Sequence, residues 1–338
     1  MPQCDLCPKH CTFSEGQTGF CGVRACQNGN VVLLSYGQTS GFAVDPIEKK
    51  PLHHFYPGSK ILSFGSIGCN LSCRFCQNAA TAQSRDLSLL TASATPDDIV
   101  QLAKQHHCES IAFTYNEPII SAEYVQDIAA ACRSAGLKTV AVSNGFISDT
   151  RRSAFFDMMD AANIDLKSFS ETFYRDYCGG ELEPVKETLR YLAKSRTWLE
   201  VTTLIIPTLN DSEQEIGELC NWFARHLGRE VPLHFSAFRP ANKLQTLPST
   251  PPQTLFRARE IARSSGLCYV YTGNIDDPAG QSTYCPQCHQ TVISRNRYAV
   301  DEYEIDEECC CKYCGQSIAG YFCSEPCPKT GRMTTATP

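Results

Sequence analysis

The sequence has no apolar run near the roughly 18–20 uninterrupted residues that a membrane-crossing helix needs, so no bilayer span is expected. It has no basic stripe either. Its 30 Lys and Arg are dispersed among 36 Asp and Glu, giving a net charge of −6. That pattern speaks against a nucleic-acid partner. Residues Met1 to Cys11 are polar and Cys-rich, without the apolar stretch of a secretory signal. A cytoplasmic protein is therefore expected. A length of 338 residues with 42% hydrophobic content allows two or three units and a sizeable core.

What is abundant is cysteine, 21 in all. An odd number cannot pair completely, and disulfide scaffolds belong mostly to small secreted domains. Metal sites explain the spacing better. Most cysteines fall into three clusters, and the five between Cys76 and Cys285 (Cys108, Cys132, Cys178, Cys220 and Cys268) stand far apart.

The clusters divide the chain. A Cys-rich segment at 1–60 is poor in core residues and needs a metal or a docking surface to hold its shape. Residues 61–278 alternate short apolar runs with amphipathic stretches. Strands are expected near 61–65, 111–115, 139–143, 162–166, 199–206, 233–238 and 268–271. Helices are expected between them. Thr95-Pro96-Asp97-Asp98 opens one with an N-cap, Gly136 closes the next, and Asp211 starts another. Repeated β-then-α order favours a parallel sheet covered by helices, closed into a full or partial barrel, with chemistry where the strands end. A second Cys-rich module follows at 279–322. The tail at 323–338, with Cys323 and Cys327, is expected to be mobile.

The strongest chemical signal is Gly68-Cys69-Asn70-Leu71-Ser72-Cys73-Arg74-Phe75-Cys76, directly after the first expected strand. Cubane iron–sulfur clusters take one thiolate per iron. Three thiolates, Cys69, Cys73 and Cys76, can hold three irons and leave the fourth open. Structural zinc needs a fourth ligand, and no other Cys or His lies within eight residues on either side. A zinc knuckle completed from a distant segment is the plainer alternative.

This loop resembles the signature of the radical S-adenosylmethionine (radical SAM) superfamily, including the aromatic Phe75 before the third cysteine. The resemblance implies a partial (β/α)6 barrel, a 4Fe-4S cluster and S-adenosylmethionine as cofactors. It also implies reductive cleavage to a 5′-deoxyadenosyl radical that abstracts hydrogen from substrate. Later pieces are similar to the pyruvate formate-lyase activase-like branch. Tyr115-Asn116-Glu117-Pro118 stands where that branch has Gly-Gly-Glu-Pro, and Ser143-Asn144-Gly145 where it has Thr-Asn-Gly. Val142 replaces an Asp there, so a cation site built on that Asp is not expected. Asp165-Leu166-Lys167 matches an Asp-Leu-Lys. His234 and Arg239 lie near a cofactor-touching His of the branch. The resemblance thus makes Asn116, Glu117, Ser143, Asn144, Asp165, Lys167, His234 and Arg239 candidates for cofactor contact.

Cys285-x2-Cys288 and Cys311-x2-Cys314 have the form of a zinc ribbon, with a rubredoxin-like iron or a second iron–sulfur cluster as the alternatives, although Cys309 and Cys310 leave the first ligand of the second pair ambiguous. Cys4, Cys7, Cys11 and Cys21 can close a site that spacing alone leaves open between zinc and an auxiliary iron–sulfur cluster. Taken together, these motifs are similar over about residues 1–320 to the radical SAM component of the AmmeMemoRadiSam system. That implies an electron donor and AMMECR-like and Memo-like partner proteins. Three functions are weighed: radical chemistry on a protein or peptide, radical chemistry on a small molecule or nucleic acid, and a non-catalytic zinc-binding adaptor.

Overall fold

A computed structural model describes residues 1–322 and the strand Thr334–Ala336. The rest of the expected tail, including Cys323 and Cys327, lies outside the described residues. The expected apolar runs form the parallel strands β1 Lys60–Phe64, β2 Ser110–Phe113, β3 Lys138–Ser143, β4 Ala161–Asp165, β5 Trp198–Ile205, β6 Leu233–Ala237 and β7 Val270–Gly273. Each pairs with the next in chain order. Between them run α1 Pro96–Gln105, α2 Ala122–Ser134, α3 Asp149–Phe156, α4 Leu182–Leu192, α5 Glu213–His226 and α6 Pro252–Ser264. Six β/α units and a closing strand make the α/β partial barrel of the radical SAM type. Every residue of β2 and of β6 is buried, as strands covered on both faces require.

Local chemistry explains the helix ends. Thr95 Oγ1 accepts from Asp98 N at 3.2 Å, and Asp98 Oδ2 accepts from Thr95 N at 2.8 Å, a closed capping box on α1. Gly136 takes φ +76° just past α2. The start of α5 differs by one residue from expectation. Ser212, not Asp211, is its N-cap, accepting from Glu215 N at 3.2 Å.

The sheet also reaches back across the expected boundary at 60. Phe42–Pro46 pairs antiparallel with β1, and Thr334–Ala336 pairs antiparallel with Phe42–Pro46. The N-terminal segment forms a hairpin, Arg24–Gln27 with Asn30–Leu33. It docks on the barrel through Arg24, which donates to Ile120 O at 3.0 Å and to Glu123 Oε2 at 2.8 Å. Leu6, Phe13, Val23 and Cys26 are buried there, so the segment has more core than its composition suggests.

At the other end, Thr283–Tyr284, Thr291–Asn296 and Ala299–Tyr303 form a three-stranded antiparallel sheet. Arg295 fastens it to the barrel. Fully buried, it donates to His53 O at 2.6 Å and Thr283 Oγ1 at 2.8 Å, and faces Glu48 at 3.6 Å. Among the described residues no helix is long and apolar enough to cross a membrane.

Candidate active site

β1 delivers the chain to the 65–76 loop at the carboxyl end of the sheet, where open α/β folds place their ligands. The loop is held from both sides. A Cβ on Gly65 would meet Thr114 O at 2.3 Å, and one on Gly68 would meet Cys21 O at 2.2 Å. Both positions therefore exclude larger residues. Asn116 staples the entry. Its Oδ1 accepts from Ser66 N at 2.9 Å, and its Nδ2 donates to Ile67 O and Gly68 O, each at 3.1 Å. All three bonds go to loop backbone, which makes Asn116 a support of the loop.

Tyr115 sits at φ +69°, a conformation that favours glycine. That is where the related branch carries Gly-Gly. A left-handed side chain costs about 1–2 kcal/mol, and Tyr115 is anchored by donating to Asp45 Oδ2 at 2.8 Å. Asp45 is itself buried between Lys50 at 2.7 Å and Lys49 at 3.0 Å. Burial would raise its pKa, but the lysines and Tyr115 bring it down to about 2.

Glu117 gathers the two adjacent strand ends. Its carboxylate accepts from Ser143 Oγ at 2.7 Å, Asn144 N at 2.8 Å and Ile119 N at 3.1 Å. Burial pushes its carboxyl up to about 7 despite these bonds. Asn144 carries the connection onward. Its Nδ2 donates to Asn70 Oδ1 at 2.8 Å and approaches Cys69 Sγ at 3.6 Å. Leu71 N also donates to Cys69 Sγ, at 3.4 Å. Glu117, Ser143, Asn144 and Cys69 thus form one continuous network. N–H groups aimed at a sulfur are what an iron-bound thiolate accepts, and they tune a cluster's potential.

Asp165 and Lys167, on β4 and just after it, pair at 2.8 Å. Burial acts to lower the Lys167 pKa, but Asp165 and the thiols of Cys73 and Cys178 hold it well above the usual range. A cation beside the cysteine loop suits a cluster whose thiolates are anionic. Cys178, a lone cysteine in sequence, folds back onto the loop. Its carbonyl accepts from Ser72 N at 2.8 Å, and its thiol lies beside that of Cys73. Nothing in the spacing signals this contact, which depends on the turn closed by Gly179 at φ +69°.

His234 and Arg239 stand outside that network. His234 is buried in the barrel interior with Nε2 2.6 Å from Glu200 Oε2. Glu200 also accepts from His53 N at 3.0 Å, His54 N at 2.8 Å and Trp198 Nε1 at 3.1 Å. Burial raises the Glu200 pKa, but these partners lower it overall. Arg239 is exposed past the end of β6. Both line a cavity of about 780 Å³ that runs from His53 to Gln77, the neighbour of Cys76, with Arg297 and Tyr298 of the C-terminal hairpin in its wall. The buried Nδ1 of His53 has no hydrogen-bond partner.

The donor set at the loop fits a cubane with one open iron: three cysteines at the strand end, N–H donors on Cys69, and a lysine facing Cys73. The C-terminal set is different. Cys285, Cys288, Cys311 and Cys314 place all four sulfurs within 4.8 Å of one another, with Cys285–Cys314 at 3.6 Å and Cys288–Cys311 at 3.7 Å. Four thiolates at that spacing can bind one metal ion. The ambiguity among Cys309, Cys310 and Cys311 resolves to Cys311.

A family model of the radical SAM superfamily matches residues 65–222. Uncharacterized protein MJ0808 of Methanocaldococcus jannaschii is 39% identical over 317 residues, 94% of each chain. Pyruvate formate-lyase 1-activating enzyme of Escherichia coli is 23% identical over 176 residues, covering 51% of this chain and 71% of that protein. Among solved structures, Streptococcus suis SuiB bound to precursor peptide SuiA superposes with a TM-score of 0.51 at 14% identity. It covers 68% of this chain and 51% of SuiB. That likeness is one of fold.

Proposed function

The chain belongs to the radical SAM superfamily, and we propose that it is an activase-like member that removes a hydrogen atom from a protein or peptide substrate. The observation that carries the proposal is the continuous network from Glu117 through Ser143 and Asn144 to Cys69 at the carboxyl ends of β1 to β3. When bound, the cluster would supply one electron and S-adenosylmethionine a reductively cleavable carbon–sulfur bond, the source of the radical chemistry. Cys69, Cys73 and Cys76 would hold three of the four irons. Glu117, with Ser143 and Asn144, forms the polar wall that receives an ammonium group, and Lys167 paired to Asp165 faces a carboxylate. Asn116 keeps the loop at fixed height above the sheet. Substrate enters the cavity beside Gln77, where the unpartnered His53 Nδ1 offers a polar contact. The C-terminal four-cysteine set holds structural zinc.

A protein or peptide substrate is favoured by the similarity to an enzyme named for activating a lyase. Anaerobic reconstitution tests the reading. The reduced protein should bind a 4Fe-4S cluster and release 5′-deoxyadenosine from S-adenosylmethionine, and the Cys69/Cys73/Cys76 triple Ala variant should release none. A wild-type protein that holds only zinc at this loop would instead be an adaptor. Deuterium appearing in 5′-deoxyadenosine from a labelled peptide, and not from labelled metabolites, identifies the substrate class.

A further inference from the structure

The N-terminal segment brings Cys4, Cys7, Cys11 and Cys21 to the wall of a single small cavity that Leu6, Phe13, Phe20 and Ile120 also line. The backbone is arranged for it. Cys4 N donates to Cys11 O at 2.9 Å and His10 N to Cys7 O at 3.1 Å, which folds the short turn between the first three cysteines. Phe20 N donates to Cys11 Sγ at 3.4 Å. Arg24 lines the same cavity. It is 7% exposed, and its Nε is buried without a hydrogen-bond partner. A buried guanidinium N–H without a partner beside four cysteines calls for a hydrogen-bond acceptor.

The spacing of the sulfurs separates two kinds of metal centre. A zinc ion about 2.3 Å from each sulfur sets tetrahedron edges of about 3.8 Å. The C-terminal set has that spacing, at 3.6 Å and 3.7 Å. The N-terminal set does not. Although its four cysteines share one cavity, neither they nor Cys69, Cys73 and Cys76 form a single-ion group, and among the described residues the C-terminal four are the set brought to that spacing. A cubane separates its terminal thiolates by iron and sulfide as well, so it needs the wider arrangement.

We propose that Cys4, Cys7, Cys11 and Cys21 ligate a second 4Fe-4S cluster, with Arg24 Nε donating a hydrogen bond to one of its sulfurs. With all four irons held by protein, this cluster has no vertex for S-adenosylmethionine. It lies against the active-site loop. Cys21 O packs on Gly68, the residue before Cys69, and Asn70 lines the cavity while its Oδ1 accepts from Asn144.

The test uses the full chain, reconstituted anaerobically with iron and sulfide. Wild type should carry about eight irons and eight sulfides, two cubanes. The Cys69/Cys73/Cys76 triple Ala variant should keep about four of each, with a reduced electron paramagnetic resonance signal that S-adenosylmethionine does not alter. The converse Cys4/Cys7/Cys11/Cys21 quadruple Ala variant should keep only the signal that S-adenosylmethionine perturbs. In Arg24→Gln the reduction potential of the S-adenosylmethionine-insensitive cluster should fall, with its iron retained. A triple variant that holds no iron, or one that holds a second zinc at the N-terminal set, overturns the proposal without touching the family reading. If the quadruple variant does not fold, the triple variant decides alone. Failure of the proposed function shows differently, as iron in the wild type that S-adenosylmethionine never perturbs.

Discussion

Asp45 has two lysines and a tyrosine as partners and no solvent exposure of its side chain. Removing one member of such a buried pair costs about 3–5 kcal/mol. Asp45→Asn should therefore lose stability of that order at pH 7 in urea unfolding. The sign of the pH effect follows from the folded pKa of about 2 lying below the ordinary 3.8. The contribution is complete above about pH 4 and disappears as pH falls toward 2. The gap between wild type and Asp45→Asn should narrow by about 2 kcal/mol over that window, and a constant gap would refute the assignment. Cys178 allows a second residue-level test. Though its thiol touches Cys73, the superfamily reading assigns three ligands to the loop. Cys178→Ala should retain the S-adenosylmethionine-sensitive cluster and 5′-deoxyadenosine release, whereas Cys73→Ala should lose both.

At the level of elements, the strands were legible because their apolar runs are short, evenly spaced and bounded by polar turns. Capping residues located α1 and the end of α2 for the same reason. Phe42–Pro46 escaped notice because it ends in proline and lies in a stretch without clear periodicity. Of the site, the cysteine loop and the Glu117 and Ser143-Asn144 segments could be read from spacing and resemblance. Glu200 could not, because a glutamate in an apolar run signals a surface, and only folding reveals that four donors surround it. The contact of Cys178 with Cys73 is equally invisible, since the two are distant in sequence. Elements also carry a prediction. Gly65 closes β1 where a Cβ would press on Thr114 O, so Gly65→Ala must part β1 from β2. Iron bound at the Cys69 loop should fall by more than half while far-ultraviolet circular dichroism is unchanged. Thr95→Ala, which opens the box on α1, should cost only about 1 kcal/mol and leave iron content alone.

Across the whole molecule, the barrel lies between two cysteine-rich flanks with different geometry. Cys285→Ser or Cys311→Ser should remove about one zinc per chain, as one tetrahedral four-thiolate site requires, while Cys309→Ser and Cys310→Ser should leave it. Zinc loss should also reach the barrel, because Arg295 ties the C-terminal sheet to His53 O and faces Glu48. Limited proteolysis of the zinc-depleted protein should cut first within 283–303. Because Arg297 and Tyr298 sit at the tip of the C-terminal hairpin yet form part of the cavity wall, the proposed function would have its guest screened by a part that contributes nothing to generating the radical. Grafting that turn from a relative would change the choice of guest while leaving the ignition chemistry intact.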